Sequence, residues 1–353
     1  MRWVLSVIAS YAAQSRVCSR LLRRLWLLAM TCSFFFFPFV LQAVSYDGLG
    51  PFSHRIQNPL YLQMVSFMPE RALVLPAKTF QAELTQAYSN IFERVLRADF
   101  DYISDVELLR VGMIGRYGLG KNFEVGMEVP WLHFNGGFLD SFIQNFHHAF
   151  GFPNGGRTTV PNNQFAFHVV QNGKSLYTFN KQDWNLGDIH LFAKHLILEE
   201  GDVRPAIASR FILKLPTGSP SEGTGSGNPG FGLGVALEKT IHRFHFYLNM
   251  NYLVEGGNDS IQAIENFATF EWMAAGEFSF SKHVSALFEL VGSTPRLKGS
   301  HYDPWDGVPL DMMIGLRGNY PPWSWQIGFS EDASSRGPSI DFTAWTTLAY
   351  RFN

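Results

Sequence analysis

Residues 339–353 read Ser339-Ile340-Asp341-Phe342-Thr343-Ala344-Trp345-Thr346-Thr347-Leu348-Ala349-Tyr350-Arg351-Phe352-Asn353. Ile340, Phe342, Ala344, Thr346, Leu348, Tyr350 and Phe352 fall on one side of an extended chain, and Asp341, Thr343, Thr347 and Arg351 fall on the other. A period of two marks a strand with unlike faces. An apolar face that ends in aromatics beside the carboxyl terminus suits the closing strand of a membrane β-barrel.

The same alternation recurs upstream. Phe123, Val125, Met127, Val129 and Trp131 alternate with polar or small residues, as do Phe244 to Val254, Ala268 to Phe280 and Leu310 to Tyr320. These runs are longer than the ~5–6 residues of an ordinary globular strand and match the ~9–11 residues of a tilted strand that crosses a bilayer. About twelve strands are predicted: 79–90, 106–117, 122–133, 188–198, 205–215, 230–239, 243–254, 266–280, 284–292, 308–320, 323–330 and 339–352. Short links alternate with long ones, of which 91–105 and 134–187 are examples. The fold class expected is therefore all-β, an antiparallel transmembrane barrel. A soluble sandwich would also alternate, but strand length and outward aromatics favour lipid.

Composition agrees. The chain of 353 residues is 46% hydrophobic and 15% aromatic but only 16% charged. Residues 1–43 read as a signal peptide with an N-terminal extension: Arg20, Arg23 and Arg24 precede the apolar run 25–40, and Leu41-Gln42-Ala43 offers a cleavage site. An uncleaved anchor is the alternative. Both cysteines, Cys18 and Cys32, lie in this segment, so the mature chain is expected to have no disulfide and no thiol chemistry. Beyond it, 23 basic residues face 30 acidic ones, a net charge of −7 that argues against a nucleic-acid partner. Residues 44–78, with Pro51, Pro59, Pro69 and Pro76, do not alternate and are expected to form a periplasmic leader or partial plug. Residues 79–353 form the barrel, with 134–187 as a long extracellular loop.

That loop holds Leu139, Phe142, Ile143, Phe146 and Phe150 at helical spacing, ended by Gly151 and Pro153. A hairpin follows over 164–180, turning at Asn172-Gly173. Helix and hairpin are candidate plug or lid elements; lying on the outer leaflet, or packing as a folded loop on the barrel's own rim, are the alternatives. The enclosed face would carry Glu83, Arg110, Arg116, Glu124, Glu128, Lys194, Arg210, Lys214, Glu271, Asp311 and Arg317, together with Glu238, Glu289 and Asp341. Charges of both signs would either cross-link a closed interior or line a selective path.

Chemical motifs are weak. Gly225-Ser226-Gly227-Asn228-Pro229-Gly230 matches a dinucleotide fingerprint, but Pro229 and a strand follow where a helix is needed. His147 and His148 point to different helix faces. Ser141 near His147, or Ser209, would be candidate nucleophiles of a lipid hydrolase, with no spacing that joins either to a base. No catalytic, cofactor-binding or metal-binding residue is assigned, and no cofactor is expected.

Tyr117-Gly118-Leu119-Gly120-Lys121-Asn122-Phe123-Glu124-Val125-Gly126-Met127-Glu128-Val129-Pro130-Trp131 resembles the strand–turn–strand of barrels of the phenol-degradation (meta) pathway family. Gly187-Asp188-Ile189-His190-Leu191 and Leu213-Lys214-Leu215-Pro216-Thr217-Gly218 do as well. Asn58-Pro59-Leu60-Tyr61 and Phe152-Pro153-Asn154-Gly155-Gly156-Arg157 bring the chain closer to an uncharacterised outer-membrane β-barrel family, a domain of unknown function (DUF3187-like). The likeness implies a bacterial outer-membrane location after signal cleavage in a Gram-negative cell. It also implies membrane lipid and the barrel assembly machinery as partners, and passage of a small, hydrophobic solute. Asn353 departs from the terminal aromatic that is common in such barrels. The leading expectation is a channel or transporter; a sealed structural barrel and a barrel-type lipid hydrolase stay open.

Overall fold

The computed structural model describes residues 47–151, 156–299, 303–334 and 340–352; the segment read as a signal peptide, with Cys18 and Cys32, lies outside them. The strands are β1 (Phe80–Leu96), β2 (Phe100–Gly120), β3 (Phe123–Asn135), β4 (Ala166–Gln171), β5 (Lys174–Thr178), β6 (Gln182–Leu186), β7 (Ile189–Leu198), β8 (Ala206–Leu215), β9 (Gly230–Ile241), β10 (Phe244–Glu255), β11 (Ala268–Ser279), β12 (Val284–Ser293), β13 (Leu310–Tyr320), β14 (Trp323–Asp332) and β15 (Phe342–Phe352). Twelve of them pair antiparallel with their neighbours, and β15 returns to β1 with Phe80 opposite Phe352, so the sheet closes into a barrel. Closure is what lipid demands, because an open edge would leave backbone groups with no partner.

The alternation becomes an inside and an outside. On β11, Phe270 is 40% exposed while Glu271 beside it is 6% exposed. On β13, Leu316 is 42% exposed, whereas the neighbouring Arg317 guanidinium donates inward to the Gly50 carbonyl at 2.9 Å. Outward aromatics pack against one another along the wall, Trp323 edge-to-face with Tyr350 and Phe244 tilted against Phe278. Exposed apolar rings around a whole barrel are stable only against acyl chains. At one end the links are tight: Lys121-Asn122 adopt positive φ, His242 does likewise, and Pro321-Pro322 joins β13 to β14.

Two differences from expectation stand out. The stretch 91–105 is not a long link. β1 and β2 run on beyond their pairing with β15 and β3 and meet at a short turn over Arg97–Asp99, where β2 finds a further partner in β4. β4 and β5 form the expected hairpin at Asn172-Gly173, while β6 is an added strand beside β3. The helix α1 (Asp140–Phe150), closed by Gly151 at φ 76°, forms as expected at the long-loop end. Its Phe142 is half exposed and meets Phe342, a residue of the outward face of β15, at 6.1 Å.

Replacement of Leu248, outward in the middle of β10, by Arg is expected to lower stability by about 2–4 kcal/mol in lipid vesicles. The urea midpoint of folding reads this, and an unchanged midpoint would place Leu248 away from acyl chains.

Candidate functional site

The interior of the barrel is occupied by residues 47–78. This stretch enters from the short-turn end, reaches the long-loop end near Asn58 to Val65, and returns to the short-turn end at Lys78. Its prolines and lack of alternation keep it out of the sheet, so its backbone amides need other acceptors. The inward carboxylates of the wall supply them. Leu49 N–H donates to Glu277 at 2.9 Å, Phe52 N–H to Glu289 at 2.5 Å and Phe67 N–H to Glu271 at 3.2 Å. Ala72 N–H donates to Glu238 at 3.2 Å, Leu75 N–H to Glu124 at 2.8 Å, and Val65 N–H to Glu255.

The side chains of the plug pair with the wall in turn. Arg55 and Arg110 both bind Glu128, with His190 alongside. Arg71 binds Glu238 and donates to the Gly48 carbonyl at 2.6 Å. Glu70 lies among three cations, with Arg116 and Arg210 at 3.1 Å and Lys194 at 3.0 Å. Gly48 lies where a Cβ would stand 2.2 Å from the Tyr247 hydroxyl, so only glycine seats there. Where the plug leaves the bore, the Pro76 carbonyl would be 2.0 Å from a Cβ on Gly118, and Lys78 N–H donates to the Gly118 carbonyl at 2.8 Å.

At the long-loop end the plug tip enters an apolar cluster. Leu60, Tyr61 and Met64 are buried with Tyr102, Trp305 and Ile340. The hairpin β4–β5 covers this tip: Phe167, Val169 and Tyr177 are buried in the same cluster, and the Tyr177 hydroxyl donates to Gln63 Oε1 at 3.3 Å. Lys214 ties the tip to two loops. Its ammonium donates to the Gln63 carbonyl and Ser226 Oγ at 2.5 Å each, and pairs with Glu255 at 2.6 Å and Asp188 at 3.3 Å. Asp188 also accepts the Gly218 and Ser226 amides, so the glycine-rich loop 225–230 is bracing for the plug tip.

The inward residues named from sequence thus fall into three groups. Arg116, Glu124, Glu128, Lys194, Arg210, Lys214, Glu271 and Arg317 all bind the plug, and Arg110 reaches it only through Glu128, which it shares with Arg55. Glu83 braces Arg116 at 2.9 Å and accepts from Ser53 Oγ at 3.1 Å. Asp311 is buried at the far end of β13, opposite Asp332 and apart from the plug-binding set. Of the candidate lid residues, Leu139 donates its amide to the buried Glu107 at 2.6 Å, Ile143 is buried and Phe142 is half exposed; the side chain of Phe150 lies outside the described residues. Asp140 of α1 instead binds Arg157, which also pairs with Asp341 and donates to Asn90 Oδ1 at 2.6 Å. Ser141 accepts from Asn162 on an exposed face, and Ser209 lies opposite His195 across β7 and β8. His147 is buried and His148 is exposed.

Sequence reasoning missed the plug's own charges, Arg55, Glu70 and Arg71. Charges in a stretch rich in proline were the available signal. It also missed Arg296, which binds Glu271 at 2.6 Å from a loop where no alternation points it inward.

The fold and the filled bore define an outer-membrane type of β-barrel with an internal plug. The chain belongs to the family described as Protein of unknown function (DUF3187), whose model matches residues 25–352. Among solved structures it is similar to an outer membrane channel from Pseudomonas putida F1, at 12% identity and a TM-score of 0.52 over 81% of this chain and 100% of that one. A TodX deltaS2S3 mutant monoaromatic hydrocarbon channel matches at 9% identity and a TM-score of 0.39, over 84% and 93% of the two chains. No curated protein matches the sequence.

Glu128→Gln leaves Arg55 and Arg110 buried without their carboxylate and is expected to cost about 3–5 kcal/mol. The urea midpoint should fall and the plug should become cleavable by protease; wild-type resistance would show that Glu128 does not hold it. In the long-loop region, burial raises the Glu265 carboxyl from about 4.5 to about 7, against the Asn258 N–H that donates to it at 2.8 Å. The folded form thus favours the protonated acid. The stability this gives is full below pH ~4.5 and is lost as the pH rises through about 7. Hydrogen exchange of 256–267 is expected to speed up between pH 5 and 8 in the wild type, beyond the intrinsic base dependence, but not in Glu265→Gln.

Proposed function

We propose that the protein is an outer-membrane channel for a small solute, held closed by residues 47–78. In this reading the chain is exported by its signal segment, inserted by the barrel assembly machinery and surrounded by outer-membrane lipid, with the short turns toward the periplasm. The observation that carries the proposal is the nature of the filling. A barrel built only to be solid can close its interior with wall side chains. Here a separate length of backbone is seated instead, with both ends at the same mouth. It can leave toward the periplasm without threading; along the bore many of its bonds to the wall are hydrogen bonds and ion pairs that water can replace, and its tip at Leu60, Tyr61 and Met64 has an apolar cluster to leave.

Emptied, a twelve-stranded bore is narrower than that of a sixteen-stranded porin, which limits the solute to small molecules. The apolar cluster over the outer end favours a second reading, a permanently sealed surface barrel. A hydrophobic solute fits the first reading, since that cluster is the surface it would meet on its way in.

Planar-bilayer recording separates the two. The wild type is expected to show a small or intermittent current, and deletion of 47–76 a steady and larger one. A deletion variant that folds, judged by heat-modifiable gel mobility, yet passes no ions would support the sealed barrel.

A further inference from the structure

Glu70 is the one acid of the returning arm of the plug, and three wall cations converge on it. Arg116 and Lys194 reach Oε2 at 3.1 and 3.0 Å, and Arg210 reaches Oε1 at 3.1 Å. These cations come from β2, β7 and β8, so the barrel and not the plug builds the receptor. The adjacent Arg71 turns away to Glu238 on the neighbouring strand β9. Two wall acids stand beside the three cations, Glu83 and Glu124 against Arg116 at 2.9 and 3.3 Å and Glu124 against Lys194 at 3.5 Å, so three cations face two wall acids and the plug's carboxylate completes the balance.

A cavity of about 400 Å³ lies against this pocket. Glu70, Arg116 and Lys194 line it from within, and Lys282, Asn319 and Arg351 line it from the short turns and the last strand, so it opens at the short-turn mouth. Its volume lies within the roughly 300–1,000 Å³ range of small-molecule pockets. Six basic side chains line it against four acidic ones, and Glu70 is one of the four. Leu49, Pro69, Leu73 and Val74 add an apolar flank. A charged end and an apolar side in one cavity fit an amphiphilic acid.

We propose that Arg116, Lys194 and Arg210 form a binding site for a small organic carboxylate, which Glu70 occupies in the closed state. The solute competes with the plug's own carboxylate, and by replacing it removes the ion pairs that seat the returning arm. The inference rests on the channel reading for its role in transport, though the site itself does not. An intramolecular competitor at millimolar or higher effective concentration weakens wild-type affinity. Planar bidentate Arg contacts would give the incoming carboxylate its orientation.

The test is calorimetric titration of the full-length protein in detergent with benzoate, and with benzylammonium as the probe of reversed charge. Glu70→Ala is expected to bind benzoate at least about tenfold more tightly than the wild type, because the internal competitor is gone. It should not bind benzylammonium, and benzoate should raise its urea midpoint. Adding Lys194→Met to Glu70→Ala should remove the gain. A Glu70→Ala protein of native gel mobility that binds benzoate no more tightly than the wild type, or binds both probes alike, overturns the site. Glu70→Gln, which keeps the shape and loses the charge, guards against misfolding of the alanine variant and must show the same direction of change. Conductance is read separately. Benzoate binding in a plug-deleted barrel that carries no current would sink the channel reading alone, and a conducting barrel without the Glu70→Ala gain would sink the carboxylate site alone.

Discussion

An irregular backbone inside a membrane barrel must find a hydrogen-bond acceptor for each buried amide, and here that requirement organises the interior. The plug cannot join the sheet, so its N–H groups turn to side chains. Glu124, Glu238, Glu255, Glu271, Glu277 and Glu289 accept from it. Each is a carboxylate because an acid presents two acceptor oxygens and no donor. A wall of apolar residues would leave those amides unpaired at about 1–3 kcal/mol each.

The acids bring a second constraint. Six carboxylates enclosed in protein would repel one another and carry a large desolvation penalty. The cations Arg55, Arg71, Arg110, Arg116, Lys194, Arg210, Lys214, Arg296 and Arg317 offset this, some from the plug and most from the wall. Charges of both signs on the inner face are thus neither a bare selectivity path nor a solid cross-link. They are the two halves of a socket. The same account explains two stretches that marked the family. Asn58-Pro59-Leu60-Tyr61 is the plug tip, where Asn58 Oδ1 accepts the Leu60 amide at 3.0 Å to turn the chain. Gly187-Asp188 and the loop after Lys214 meet around the Lys214 ammonium that holds the tip.

The barrel was legible because lipid imposes a rule on every strand. One face must be apolar and the other polar, over a length set by the bilayer, so Phe270 beside Glu271 reads the same in sequence and in space. The strand ends were less legible: Ile91 to Asp105 looks like a loop since its pairing with β4 depends on a segment about 65 residues away. The helix at 140–150 was legible as a helix but not in its place, since its apolar stripe fits a rim as well as a bore.

By itself the sequence determined the class of the wall, the sidedness of each strand and the inward position of the charges, since those follow from a period of two next to a uniform solvent. Tertiary structure decided what the charges are for. Residues 47–78 carry no periodicity, and their amides are matched by acids from β3, β9, β10, β11 and β12, between Glu124 and Glu289; such a pairing exists only once the cylinder has closed around them.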